Sequence, residues 1–421
     1  MILSLIMVIL GILLLIYNEK HCLYFLAFIL PFVRASQAPI LALIIILFIL
    51  KIGFRILYRK EAMYKRTFFD VPAVALLCVW VVTTFTSVTI KGSITDFIIS
   101  VMGLLFCIIC IQILEEKKDY INLVTWAIIS NVIVSSYGLY QFFIEKPIDK
   151  MWVDTTVNPD LQVRVYSVLG NPNILSQYLL LILPLGIMLM LYKKKIWHKL
   201  ILGVFNGIIL VCLLLTYSRA SLLGLIVSFL TIGVLNYAQA LIILIPLAII
   251  SLVLFAPRVL ERLLTSFNTK DTSISSRVTL WQDVIQMIRN FYLTGIGFGV
   301  TAFSGMYLLY RHQYLSALHA HNLYLEILVE TGIIGFLVFI YFAFSVVVNF
   351  IKNYQGAGNK FNKYIILGCL SAFLGILVNG FAEYTWSDFR VVSMFWLVVG
   401  IGVSLTKKRE KLQNNQCGNE E

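Results

Sequence analysis

The chain has 421 residues, of which 60% are hydrophobic and 13% charged, with a formal net charge of +12, and its mean hydropathy is +0.90. A soluble domain carries roughly a quarter charged residues, so the composition excludes an ordinary soluble enzyme and predicts an all-α, polytopic transmembrane bundle in the lipid bilayer. The positive charge does not point to nucleic acid, because the basic residues fall in short loops between apolar runs.

In chain order, apolar runs able to cross a ~30 Å hydrocarbon layer fall near 1–17, 22–33 (short), 38–56, 70–89, 95–114, 120–143, 172–192, 199–217, 220–236, 239–256, 331–352, 364–382 and 390–406. This makes about 12 or 13 crossings in one integral membrane domain spanning 1–421. The first run has no basic residue ahead of it and more spans follow, so it reads as a retained helix rather than a cleaved leader. Cys107 and Cys110 form a C-x-x-C inside "LLFCIICIQIL", where packed or lipid-facing thiols are the simpler reading than metal or redox use.

Twenty of the 33 basic residues occupy one set of alternate loops, at Lys20, within 51–66, at Lys117 and Lys118, at 193–199, within 352–363 and in the tail 407–421. The positive-inside rule makes that side cytoplasmic, C-terminus included, in the cytoplasmic (inner) membrane. Those twenty comprise four Arg and 16 Lys, whereas the thirteen on the other side comprise nine Arg and four Lys. Lysine suffices as a topology signal, while arginine is favoured where a planar fork grips phosphate or carboxylate. Two outer loops are long, 144–171 and 257–330. The second is large enough for helices of its own, and "SISSRVTLWQDVIQMIRN" (273–290) predicts one, capped by Ser275 or Ser276 with an apolar stripe at Trp281, Val284, Ile285 and Ile288.

Four stretches meet on the outer side: "GNPN" (170–173) opening a span, "TYSRAS" (216–221) in a tight turn between spans, "SSRVTLW" (275–281) in the loop helix, and "HAHN" (319–322) at the return to the membrane. Each has a plainer reading. Arg219 alone could snorkel to headgroups, Arg277 could pair with Asp271 or Asp283, and a histidine could cap a helix. "GIGFG" (295–299) lacks the strand and βαβ unit of a dinucleotide loop. Together, a proton-accepting group, two arginines and a membrane floor suit a lipid-linked diphosphate and a hydroxyl nucleophile.

Over roughly residues 160–400 the order and spacing of these stretches resemble the O-antigen ligase and polymerase-like membrane glycosyltransferases. The resemblance implies a GT-C-like helical fold, with a glycan donor on undecaprenyl diphosphate and a glycan or lipid-linked glycan acceptor. It places the diphosphate-binding arginines on Arg219 and Arg277 and the acceptor histidine on His321, directly before Asn322, with His319 nearby. Asn171, Asn173 and Asn322 are the associated substrate-binding positions, and an acidic group near the last outer turn falls on Glu383 or Asp388. The acceptor stays open between lipid core, growing polymer, wall glycan and protein. The expected chemistry is a single inverting displacement without cofactor or metal, since the outer loops hold no D-x-D and their carboxylates are scattered. The alternative is a lipid-linked glycan flippase or exporter. It would need charged groups at mid-membrane, and spans such as 199–217 and 332–348 carry almost none.

Overall fold

The computed structural model describes residues 2–60, 64–144, 163–239, 257–264, 272–311 and 316–406, which form helices and no strands. In chain order these are α1 (Ile2–Tyr17), α2 (Glu19–Ile29), α3 (Ala38–Leu57), α4 (Asp70–Phe85), α5 (Ile90–Ile113), α6 (Lys117–Ile144), α7 (Pro172–Tyr192) and α8 (Ile196–Leu215). They continue with α9 (Arg219–Asn236), α10 (Pro257–Leu264), α11 (Thr272–Phe291), α12 (Val300–Tyr310), α13 (Leu323–Gln355), α14 (Lys360–Asn379) and α15 (Phe389–Thr406). Among the described residues nine helices are long and apolar enough to cross a membrane: α3, α5 to α9 and α13 to α15. The chain is thus a polytopic helical membrane protein, and α4 and the apolar part of α1 are shorter. The expected span 239–256, the tail 407–421 and most of the first long outer loop lie outside the described residues.

Burial sorts the spans. In α15 83% of the best apolar stretch is buried, against 28% in α8, so α15 is central and α8 presents most of its surface outward. Helix α15 packs on α5, and α14 packs between α7 and α9. Small residues let α9 and α14 approach closely: Gly224 and Ser228 face Gly375, and the Ser228 hydroxyl donates to the Ser371 carbonyl at 2.8 Å. In an apolar surround such contacts replace the hydrophobic drive that lipid cannot supply.

The lysine-bearing loops collect at one end of the bundle. There Lys20 pairs with Asp119 at 2.8 Å, Glu19 receives Lys51 (3.5 Å) and Arg55 (2.5 Å), and Lys65 pairs with Glu115. At the other end lies the large loop, and two sequence expectations change there. The helix expected over 273–290 is present as α11, but its buried face is Leu280, Val284 and Met287, and Ile285 turns outward at 42% exposure. The span expected from 331 begins at Leu323, where Asn322 caps it, and breaks at Gly332 (φ 65°, ψ −174°). The break receives the 292–297 loop: Ile296 and Gly297 donate to the carbonyls of Val329 (2.9 Å) and Glu330 (3.1 Å), and Ile333 donates to Tyr292 (2.7 Å). A Cβ at Gly295 would lie 2.2 Å from the Glu330 carbonyl oxygen, and one at Gly332 would lie 2.3 Å from that of Leu293. The "GIGFG" stretch is thus a docking strip that fastens the loop to a broken helix, where only glycine tolerates both the positive φ and the backbone approach.

Candidate functional site

The site is built on residues 380–388, the turn between α14 and α15. Glu383 is held there by its amide, which donates to the Asn379 carbonyl at 3.1 Å, and it is only 5% exposed. Three of the sequence stretches converge on its carboxylate. One oxygen, Oε1, accepts from Arg277 Nη2 of α11 at 2.5 Å and from Asn173 Nδ2 of "GNPN" at 2.7 Å. The other, Oε2, lies 3.2 Å from His321 Nδ1. Arg277 also donates through Nη1 to the Ala382 carbonyl at 2.7 Å, so two of its five N–H groups are committed to this turn. Burial by itself would push the Glu383 carboxyl up. The charge of Arg277, helped by the hydrogen bond from His321, overrides it and holds the group well below the usual carboxylate range.

The two histidines sit in different environments. His319 is half-buried, and burial, followed by the nearby His321, lowers its pKa to about 3, so the ring is neutral. Its Nδ1 accepts the His321 backbone N–H at 3.2 Å, and the two rings lie 4.2 Å apart. His321 occupies φ +48°, an uncommon conformation for a residue with a Cβ. Its Nδ1 faces the carboxylate and is the nitrogen placed to donate to it, so Nε2 is the ring nitrogen left for another partner.

Arg219 opens α9 and is half-buried, after Tyr217 at φ +50°. Two residues on, Ser221 meets the Ser176 hydroxyl of α7 at 2.6 Å and accepts from Asn379 Nδ2 at 2.9 Å, and Asn379 Oδ1 accepts from Gln177 at 2.9 Å. The "SRAS" turn is therefore braced against the helix end that carries Glu383. Arg164, which the sequence reading did not single out, is buried. It donates from Nε to the Thr216 carbonyl (2.8 Å) and from Nη2 to Asn173 Oδ1 (2.8 Å), linking that turn to the Glu383 cluster. Its signal in the sequence was faint: one more arginine on the arginine-rich side.

The other expected site residues are placed as supports. Asn171 caps α7 by accepting from the amides of Asn173 and Ile174. Asn322 caps α13 in the same way and donates to the Phe381 carbonyl at 3.0 Å. Asp388 is not drawn into the cluster: it pairs with Arg390 at 2.6 Å, and Arg390 reaches the carbonyls of Val168 (3.3 Å) and Leu169 (3.1 Å). Of the two carboxylates the sequence offered to Arg277, Asp283 accepts from Tyr307 at 3.2 Å, and Asp271 lies outside the described residues. Beside the histidines, Tyr384 donates to Glu330 Oε1 at 3.0 Å. Among the described residues no group of three or more His, Cys, Asp or Glu is arranged to hold a metal ion.

A family model described as O-antigen ligase matches residues 204–340, about a third of the chain. The matched stretch contains Arg219, Arg277, His319 and His321, while Asn173 and Glu383 fall outside it. No curated protein matches the chain.

Proposed function

Because residues 204–340 are similar to the O-antigen ligases, we propose that this membrane protein is a glycosyltransferase of the O-antigen ligase or polymerase type. It moves a glycan from undecaprenyl diphosphate to an acceptor hydroxyl at the arginine-rich end of the bundle, the extracytoplasmic face. The observation that carries the reading is the meeting of Arg277, His321 and Asn173 on the buried Glu383 carboxylate. A carboxylate on Nδ1 of an imidazole fixes its tautomer and stabilises the imidazolium. The acceptor oxygen attacks the anomeric carbon, its proton passes to His321 Nε2, and the bond from that carbon to the diphosphate oxygen breaks. The bonding pair leaves with the diphosphate, whose charge Arg219 and the remaining N–H groups of Arg277 offset. One displacement inverts the anomeric configuration.

The test is to incubate the purified protein with carrier-linked glycan extracted from membranes of its own organism and to resolve the products by size and linkage. A new glycosidic bond of inverted configuration, formed undiminished in excess EDTA, is the expected result. An exporter would leave every linkage unchanged. Loss of turnover in EDTA with recovery in Mg²⁺ would overturn the arginine-based mechanism. Side is tested separately: a cysteine at the exposed Gln286, in a background free of native cysteines, should react with an impermeant maleimide in intact cells. Labelling only after lysis would put the site in the wrong compartment.

A further inference from the structure

The turn that carries both histidines is held at its middle residue. Ala320 is 0% exposed. Its amide donates to the Glu326 carboxylate, and its carbonyl accepts from the Trp281 indole at 2.9 Å. The first bond fixes the peptide plane between His319 and Ala320. The second, with the His321 amide bond to His319 Nδ1, fixes the plane between Ala320 and His321. Beyond His321, the Leu323 amide donates to the Gly380 carbonyl at 2.7 Å. We propose that Glu326 and Trp281 are positioning residues, which clamp Ala320 from its two sides and so hold His321 against Glu383.

Three features argue that the clamp serves the histidine rather than the helix. Asn322 already caps α13 by accepting from Tyr324 and Leu325, so the backward reach of Glu326 to Ala320 adds nothing to ordinary capping. Glu326 is itself 0% exposed, where an apolar side chain would avoid the desolvation of a carboxyl group. His321 stands at φ +48°, and such a conformation persists only where the surroundings over-determine it. Trp281 lies one helical turn after Arg277, so the two share a face of α11. One helix thereby presents an arginine to Glu383 and an indole to the histidine turn, setting the distance between anion site and base.

The inference rests on the reading of His321 as the acceptor-side residue, and its test separates the two. Hydrogen exchange on the full-length protein in detergent reads the clamp without any substrate. In Glu326→Leu, peptides covering 317–324 should exchange about tenfold faster than wild type while those of α14 and α15 stay unchanged. Glu326→Gln keeps an oxygen that accepts from Ala320 and should stay within about threefold. Turnover of the extracted carrier-linked glycan should fall about tenfold in Glu326→Leu and in Trp281→Phe, with KM for donor unchanged. The double variant should lose little more, because both act on one residue. Unchanged exchange at 317–324 in Glu326→Leu, or a Gln variant as impaired as the Leu variant, would overturn the clamp. If Glu326→Leu loses protection throughout, Trp281→Phe decides: unchanged exchange and turnover there overturn the proposal. Full turnover in His321→Ala together with faster exchange in Glu326→Leu would instead remove the catalytic reading and leave the clamp standing.

Discussion

The two ends of the bundle carry charge in opposite ways. At the lysine-rich end each pair joins two chain segments and its cation is partly open: Lys65 and Glu115 are 29% and 60% exposed, and Lys20 is 31% exposed over an Asp119 at 6%. At the arginine-rich end a single carboxylate, only 6% exposed at its side chain, gathers an arginine, an imidazole and an amide from three distant segments. Backbone strain divides the same way. Of the four described non-glycine residues at positive φ, Ser167, Tyr217 and His321 lie at the arginine-rich end and Lys60 at the other. Exposed pairs contribute about 0–1 kcal/mol and orient the chain. A buried, strained cluster that ties three segments to one carboxylate costs stability to build, which is the expected economy of a site rather than of a scaffold.

The sharpest way to break that contrast is His321→Ala. General-base contributions run about 10²–10⁴-fold, so turnover should fall by that factor while donor binding and folding persist. Near wild-type turnover would move the site away from this cluster. Next come the arginines. A lysine at 277 offers a point charge that cannot span both the Ala382 carbonyl and Glu383 as the present fork does. Arg277→Lys and Arg219→Lys should each lose about 10- to 100-fold in turnover. Full activity in both would reduce these arginines to the anchoring role of the lysines opposite.

How much of this contrast was legible in the sequence depends on the reach of each signal. Most described spans were readable to within a few residues, because hydropathy is local; 172–192 coincides with α7 and 38–56 falls within α3. The span that starts at Leu323 was expected from 331 because its first turns carry Glu326 and Glu330. Arg277, His321 and the α11 helix were readable from motifs and period. The choice between Glu383 and Asp388 was not, since it depends on contacts with residues 106 and 62 positions away. Arg164 and Glu326 escaped for a similar reason: each reaches a backbone group, of Thr216 and Ala320 respectively, which any residue type supplies. The α11 face was misjudged at Ile285 because a stripe of about two turns does not reveal which flank the loop will cover.

His319 gives a smaller effect with a defined sign. The unfolded ring titrates near 6.5 and the folded one at about 3. Above pH 6.5 both states are neutral and nothing changes. As pH falls below that value the unfolded chain takes the proton first, so stability drops until the folded ring also protonates. Between pH 7 and 5 this amounts to about 1–2 kcal/mol. Glu383, held below the usual carboxylate range, adds stability that is lost only below about pH 4.5, as pH falls towards its folded value, and so does not contribute to this window. The thermal midpoint in detergent should therefore fall more between pH 7 and 5 in the wild type than in His319→Asn. Equal falls would show that His319 is not held neutral by its surroundings.

The smallest effect belongs to the other end. Lys65 holds Glu115 below the usual carboxylate range, chiefly through their side-chain hydrogen bond, yet Glu115 is mostly exposed and the pair is screened. Lys65→Met removes that bond and the one from Nζ to the Gln112 carbonyl (2.7 Å). It leaves two others in place: the Lys65 amide still donates to Gln112 Oε1 at 3.0 Å, and Gln112 Nε2 to the Lys65 carbonyl at 3.2 Å. The loop is thus tied by its backbone, and the substitution should cost less than about 1 kcal/mol and leave turnover unchanged. One lysine among twenty does not reverse the charge bias that orients the chain. A large loss of transfer in Lys65→Met, with folding intact, would mean that the lysine-rich end takes part in the reaction and that the division between scaffold and site is drawn in the wrong place.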